Sequence, residues 1–159
     1  MSDAMIRPAP VVKTVVVRTT PEHAFETFTV NMGKWWPKTH STAASPQKQV
    51  VMEPRDGGRW YEIGEDGSET EWGSVVAWEA PRRVLLAWQL NGDFKYDKDF
   101  VTHVEVLFTP EDDGAIRVTL EHRDLERYGD KTTPTRAALD SDGGWSGMMG
   151  LYKAAAEAN

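Results

Sequence analysis

Apolar residues alternate with polar ones through the middle of this chain and return at helical spacing near its end. Val11 to Thr19 is dense in β-branched residues and predicts a strand. Thr20-Pro21-Glu22 supplies an N-cap, a proline at the first helical position and an acid in the first turn, so a helix starts there. Ala24, Phe25 and Phe28 fall on one side of it. Asn31 to Trp36 predicts a second short helix stopped by Pro37, and 38–48 reads as a loop. Strands are then predicted over 48–54, 58–64, 69–79, 82–91, 99–109 and 115–124, arranged as a meander. The links between them are turn chemistry: Arg55-Asp56-Gly57, Glu65-Asp66-Gly67, Ala80-Pro81, Asn91-Gly92-Asp93 and Glu111-Asp112-Asp113-Gly114. Links this short join antiparallel neighbours.

Pairing across these turns predicts which side chains share a face, because successive residues of a strand point to opposite sides. If Thr109 pairs with Ala115, one face joins Phe108 to Ile116, Val106 to Val118, Val104 to Leu120 and Thr102 to His122. That face is nearly all apolar, so it is expected to face the core. The same pairing sets Trp88 opposite Thr102, Leu86 opposite Val104, Trp78 by Val84, Val76 by Leu86 and Ser74 by Trp88. The expected inner row therefore runs Trp72/Ser74, Trp88, Thr102, His122. Met52 and Trp60 extend it, unless a bulge gives the inner face to Tyr61 and Ile63 in place of Trp60 and Glu62.

The last segment is helical by period. Trp145, Met148, Met149, Tyr152 and Ala156 share one face, so the stripe is placed to cover that row. Gly147 and Gly150 sit inside it, and each costs ~1 kcal/mol against alanine in a helix interior. Tertiary packing is therefore expected to hold this helix, with glycine allowing close backbone approach. Ala137, Ala138 and Leu139 suggest a further helical turn or two.

Composition narrows the function classes. A chain of 159 residues predicts one domain, 11–159, after a disordered lead over 1–10. The net charge of −7 argues against a general nucleic-acid binder and against docking on anionic lipid. The absence of cysteine excludes disulfides and thiol chemistry. No apolar run approaches the ~20 residues that span a bilayer, and the N-terminus has no signal-peptide apolar region. No membrane insertion and a cytoplasmic location are expected. The seven tryptophans weigh more. Each buries roughly 150–250 Å², so together they dominate any core or pocket.

Several pieces of the chain resemble one family. They are Asp56-Gly57-Gly58-Arg59-Trp60-Tyr61-Glu62, Trp72-Gly73-Ser74-Val75-Val76, Pro81-Arg82-Arg83-Val84-Leu85-Leu86-Ala87-Trp88, Val101-Thr102-His103-Val104-Glu105-Val106, Leu120-Glu121-His122 and Gly143-Gly144-Trp145. In this order and spacing the chain resembles homologues of the activator of the 90-kDa heat-shock-protein ATPase. These belong to the SRPBCC superfamily, with the START lipid-transfer domains. The resemblance implies an α+β helix-grip fold: a curved antiparallel β-sheet wrapped around a long C-terminal helix, with two short helices after the first strand and a cavity between sheet and last helix. It implies no single activity and carries over no catalytic residue.

The expected function is binding of a small hydrophobic or aromatic molecule in that cavity, with Phe28, Trp60, Trp72, Ser74, Trp88, Thr102, His122, Trp145 and Met149 as its ligand-binding residues. The competing reading makes the tryptophans and Met149 plain core. His122 reads either as an acid, base or donor to a ligand, or as a structural histidine bonded at the rim. Trp35-Trp36 reads equally as a lid over the cavity mouth or as a plug of core. His103 falls on the outer face beside Glu121, with Glu105 near Arg117 and Arg123, and reads as a solvated charged face. No histidine or carboxylate spacing suits a metal, so no metal, cofactor or catalytic residue is expected. Alternatives are an enzyme of the polyketide cyclase or hydrolase sort with His122 as acid–base, or an interaction module whose partner is a chaperone or a second copy of the chain. A dry void of 300 Å³ costs on the order of 7 kcal/mol at ~24 cal/mol per Å³. Domain stability is only about 5–15 kcal/mol, so the cavity is expected to be small, wet or occupied.

Overall fold

The computed structural model describes residues 8–158; most of the expected disordered lead, 1–7, lies outside the described residues. Strand β1 (Val11–Val17) leads through the Thr20 cap, whose hydroxyl oxygen accepts the His23 N–H at 3.1 Å, into helix α1 (Pro21–Phe28). The second short helix is a single 3-10 turn, Met32–Lys34. The meander follows as β2 (Gln47–Met52), β3 (Arg59–Gly64), β4 (Glu69–Glu79), β5 (Arg83–Trp88), β6 (Thr102–Pro110) and β7 (Ile116–Arg123). A 3-10 stretch over Leu125–Lys131 precedes helices α2 (Thr132–Asp140) and α3 (Trp145–Glu157). The sheet has seven antiparallel strands in the order β1-β7-β6-β5-β4-β3-β2. This is the expected helix-grip α+β architecture.

Two registers differ from the expected ones. Phe108 faces Val118 and Val104 faces His122, a slip of two residues from the pairing through Thr109 and Ala115. The cause is a turn displaced by one residue: Pro110 pairs with Ile116 across 111–115, and Gly114, at φ 88°, closes the hairpin in the left-handed region. A slip of two keeps every side chain on its expected face. In β4 the difference changes faces. A bulge between Val75 and Ala77 pairs Val75 with Leu86 and Ser74 with Ala87, not Val76 with Leu86 and Ser74 with Trp88. Val75 is buried and Val76 is 45% exposed. Gly73 takes the place opposite Trp88 and also faces Trp60 on β3. A Cβ on Gly73 would lie 1.8 Å from the Ala87 carbonyl oxygen, so glycine is what permits this approach. The Trp60 and Trp88 rings meet at 5.9 Å.

Helix α3 packs its Trp145, Met148, Met149, Tyr152 and Ala156 stripe inward. The Tyr152 hydroxyl donates to the Ala24 carbonyl at 2.8 Å, and its ring meets Phe28 and Trp35 at 5.2 and 5.6 Å. A Cβ at Gly147 would come within 1.9 Å of the Asp142 carbonyl oxygen, whereas a Cβ at Gly150 meets nothing within 4 Å. Gly150→Ala should therefore raise stability by about 1 kcal/mol and Gly147→Ala should lower it. Thermal unfolding of both variants checks this; a common direction of change would contradict it. On the outer face Glu105 pairs with Arg83 at 2.6 Å and Arg123 at 2.8 Å, and His103 pairs with Asp124 at 2.6 Å in place of Glu121.

Candidate functional site

The interior between sheet and α3 is filled. Phe28, Trp60, Thr102, His122, Trp145 and Met149 are each at most 1% exposed and pack against one another and their neighbours. Of three open spaces among the described residues, the most enclosed lies at the end of the sheet: a cavity of about 280 Å³ lined by the 39–42 loop, Trp36, Trp72, Trp88, Leu90, Phe94, the C-terminal end of α2, and Gly143, Gly144 and Met148 at the start of α3. It adjoins the exposed residues Phe94, Ala138 and Gly143. Of the residues expected from sequence, the structure brings Trp72 and Trp88 to this wall. Ser74 stands past the Gly73 approach and is half-buried opposite Ala87.

His122 forms a closed chain. An indole N–H only donates, so the Trp145 Nε1–H at 3.1 Å makes His122 Nδ1 an acceptor. The proton of the neutral ring then sits on Nε2 and is donated to Thr102 Oγ1 at 2.8 Å. Thr102 in turn donates to the Trp88 carbonyl at 3.4 Å. Burial pushes the His122 pKa down to about 3; Asp124 partly opposes this and His103 adds to it. Both ring nitrogens are engaged, as in the structural reading of this histidine.

Glu62 is fully buried and faces inward, which decides the ambiguity of β3 for this residue. The bulge against β4 has its extra residue on β4, so Trp60 and Glu62 share the inner face, and Tyr61 is buried on the other face beneath the Arg59 guanidinium, 3.9 Å from its ring centroid. The Glu62 carboxylate accepts from Ser41 Oγ at 2.7 Å, the Thr42 N–H at 2.8 Å, Thr42 Oγ1 at 3.1 Å and Trp72 Nε1 at 3.0 Å. Gln47 Nε2 lies at 3.5 Å. Burial pushes the carboxyl up, but the bonds from Ser41, Thr42 and Trp72 outweigh it and hold the group below the ordinary glutamate value. A buried anion thus fastens the 41–42 segment and the Trp72 indole, which together form part of the cavity wall.

The loop is tied on its other side by His40. Its Nε2 lies 2.6 Å from the Gly143 carbonyl, and its own carbonyl accepts the Trp36 Nε1–H at 3.0 Å. Trp36 stacks near Trp72 and Trp145, with centroids at 4.9 and 5.9 Å. It is both wall of the cavity and plug of the core, and Trp35 lies wholly on the core side with its N–H on the Thr27 carbonyl. Met148 lay on the expected inward stripe of α3, but the wall residues Thr39, His40, Ser41, Thr42 and Leu139 had no local signal that marked them: they come from a loop and a helix end that meet the others only in the fold. Among the described residues no three histidine, cysteine or carboxylate side chains converge on a metal position, and no helix is long and apolar enough to cross a membrane.

Solved structures with the same fold are numerous. The anthrahydroquino-gamma-pyrone synthase Txn09 is 33% identical, with 94% of this chain and 97% of that chain covered and a TM-score of 0.65. CalC from Micromonospora echinospora, a self-sacrificing resistance protein, is 29% identical over 93% of this chain and 94% of its own, with a TM-score of 0.70. Bacillus halodurans protein BH1534, 16% identical over 96% and 100% with a TM-score of 0.66, shares the fold alone. No curated protein matches the chain. Residues 18–156 match the model of the family described as Activator of Hsp90 ATPase homolog 1-like protein, and the chain belongs to that family.

Proposed function

We propose that this protein binds a small, largely apolar aromatic molecule in the cavity bounded by Trp36, Trp72 and Trp88. The observation that carries the reading is a 280 Å³ space, walled by three indoles and a strip of hydroxyls, beside a core that is otherwise filled. A dry void of that size would cost on the order of 7 kcal/mol, so water or a guest occupies it. The likeness to Txn09, named as the synthase of an aromatic product, supports an aromatic guest. Of the residues expected from sequence, Trp72 and Trp88 contact the guest, and Trp60, Trp145 and Met149 support them from behind. Titration with N-phenyl-1-naphthylamine, a neutral aromatic fluorophore, should saturate at one molecule per chain. Ala138→Trp, placed on an exposed residue of the mouth, should abolish the signal with the melting temperature unchanged. Absence of saturable binding by the unsubstituted protein would defeat the reading.

Turnover of such a guest is the second reading, favoured by 33% identity to a synthase. His122 is closed off for this role, and His40 is the imidazole that lines the space.

A further inference from the structure

We infer that the cavity selects neutral aromatic guests that donate hydrogen bonds, through phenolic O–H or aryl N–H groups, over guests that only accept them; this rests on the aromatic-binding reading above. The reason lies in where the lining donors point. The Ser41 hydroxyl donates to Glu62 Oε2 at 2.7 Å and the Thr42 hydroxyl to Glu62 Oε1 at 3.1 Å. The Gly143 carbonyl at 2.6 Å can only accept, so His40 carries its proton on Nε2. In the neutral ring Nδ1 is then an acceptor, and it takes the Thr39 hydroxyl hydrogen at 3.2 Å. The Trp36 and Trp72 N–H groups are used on the His40 carbonyl and on Glu62. The Trp88 N–H has no hydrogen-bond partner but is fully buried beside the Tyr128 hydroxyl, away from a guest.

What these groups leave toward a guest is lone pairs. A hydroxyl has one hydrogen to give and two acceptor positions. Ser41 Oγ uses one acceptor position on the Ala43 N–H at 3.2 Å, and Thr42 Oγ1 uses one on Trp72 Nε1 at 3.1 Å. Each keeps another, and Thr39 Oγ1 keeps both. Behind them lies the Glu62 carboxylate, which forms no ion pair among the described residues. Its charge polarises the Ser41 and Thr42 oxygens toward accepting and opposes a guest anion. A guest carbonyl would displace water from this wall and find no side-chain hydroxyl to bind, which is a net loss. A guest hydroxyl replaces that water in kind.

Matched naphthalenes test this by isothermal titration calorimetry at pH 8. 2-Naphthol should bind about tenfold more tightly than naphthalene, the size of one well-made hydrogen bond to a polarised acceptor. Apolar burial alone would give the reverse order, since naphthalene is the more hydrophobic. 2-Methoxynaphthalene should gain nothing over naphthalene, and 2-naphthoate should bind most weakly. In a Ser41→Ala, Thr39→Ala double variant the preference for 2-naphthol should shrink to about threefold or less. Naphthalene matching 2-naphthol, or 2-naphthoate binding most tightly, would overturn the selectivity and leave aromatic binding standing. No saturable binding by any of the probes would sink both.

Discussion

Acidification from pH 7 to pH 4 should cost this protein about 3 kcal/mol of stability through His122 alone. In the unfolded chain this imidazole titrates near its ordinary value of 6.5, and in the folded protein burial holds it near 3. Above pH 6.5 both states carry a neutral ring and the fold has its full stability. Between 6.5 and 3 the unfolded state binds the proton and the folded state does not, so stability falls with pH by about 1.4 kcal/mol per unit. The geometry explains why the folded ring resists. A proton on Nδ1 would face the Trp145 N–H that now donates to that atom. No water reaches the ring, since His122 is 0% exposed. Carboxyls held below their ordinary values, such as Glu105 between Arg123 and Arg83, act only below about pH 4.5, so the window from 6.5 to 4.5 reports His122. Urea midpoints at pH 7, 6, 5 and 4 should slope in the native protein and stay nearly flat above pH 4.5 in His122→Gln. The variant keeps a donor toward Thr102 and cannot titrate. Parallel pH profiles for the two proteins would show that the imidazole is not the sensor.

Glu62→Ala should destabilise the fold by about 3 kcal/mol and loosen the 39–42 loop. The carboxylate is the shared acceptor for Ser41, the Thr42 amide and hydroxyl, and Trp72, and its loss leaves the part-buried Thr42 N–H without its acceptor and the Trp72 indole with Thr42 Oγ1 alone. A buried donor left unsatisfied costs about 1–3 kcal/mol, and water entering from the adjoining cavity limits the sum. Glu62→Gln, which keeps the volume and one acceptor oxygen, should lose about half as much. Because the folded carboxyl titrates below its ordinary value, its contribution is present above about pH 4.5 and disappears on further acidification, below the window assigned to His122. Chemical denaturation measures the loss, and proteolysis in the 39–42 loop reports the loosening. An alanine variant within about 0.5 kcal/mol of the native protein, with the loop equally resistant, would remove Glu62 from this role.

The two residues differ in how far the chain foretold them. His122 was placed on the inner face by simple alternation, and the two-residue slip between β6 and β7 did not disturb that, because facing depends only on parity. Its closure by Trp145 was not foreseeable from either segment: residues 122 and 145 are joined only when α3 lies on the sheet. Glu62 was ambiguous because β3 reads well in either phase: Trp60 is buried on the inner face and Tyr61 on the other, under Arg59. Ser74 was lost from the row for a related reason: the bulge at Val75 and Ala77 leaves no trace in a run of β-branched and small residues.

The chain by itself determined the element order, the antiparallel meander, the inward facing of most indoles and the stripe on α3. Each follows from local periodicity, turn residues and capping, which act over a few neighbours. Tertiary structure alone decided where the empty space lies. Volume left over after packing is a property of the whole set of contacts, and here large indoles fill the body of the grip and leave the gap at its end, where a loop, a strand end and two helix termini converge.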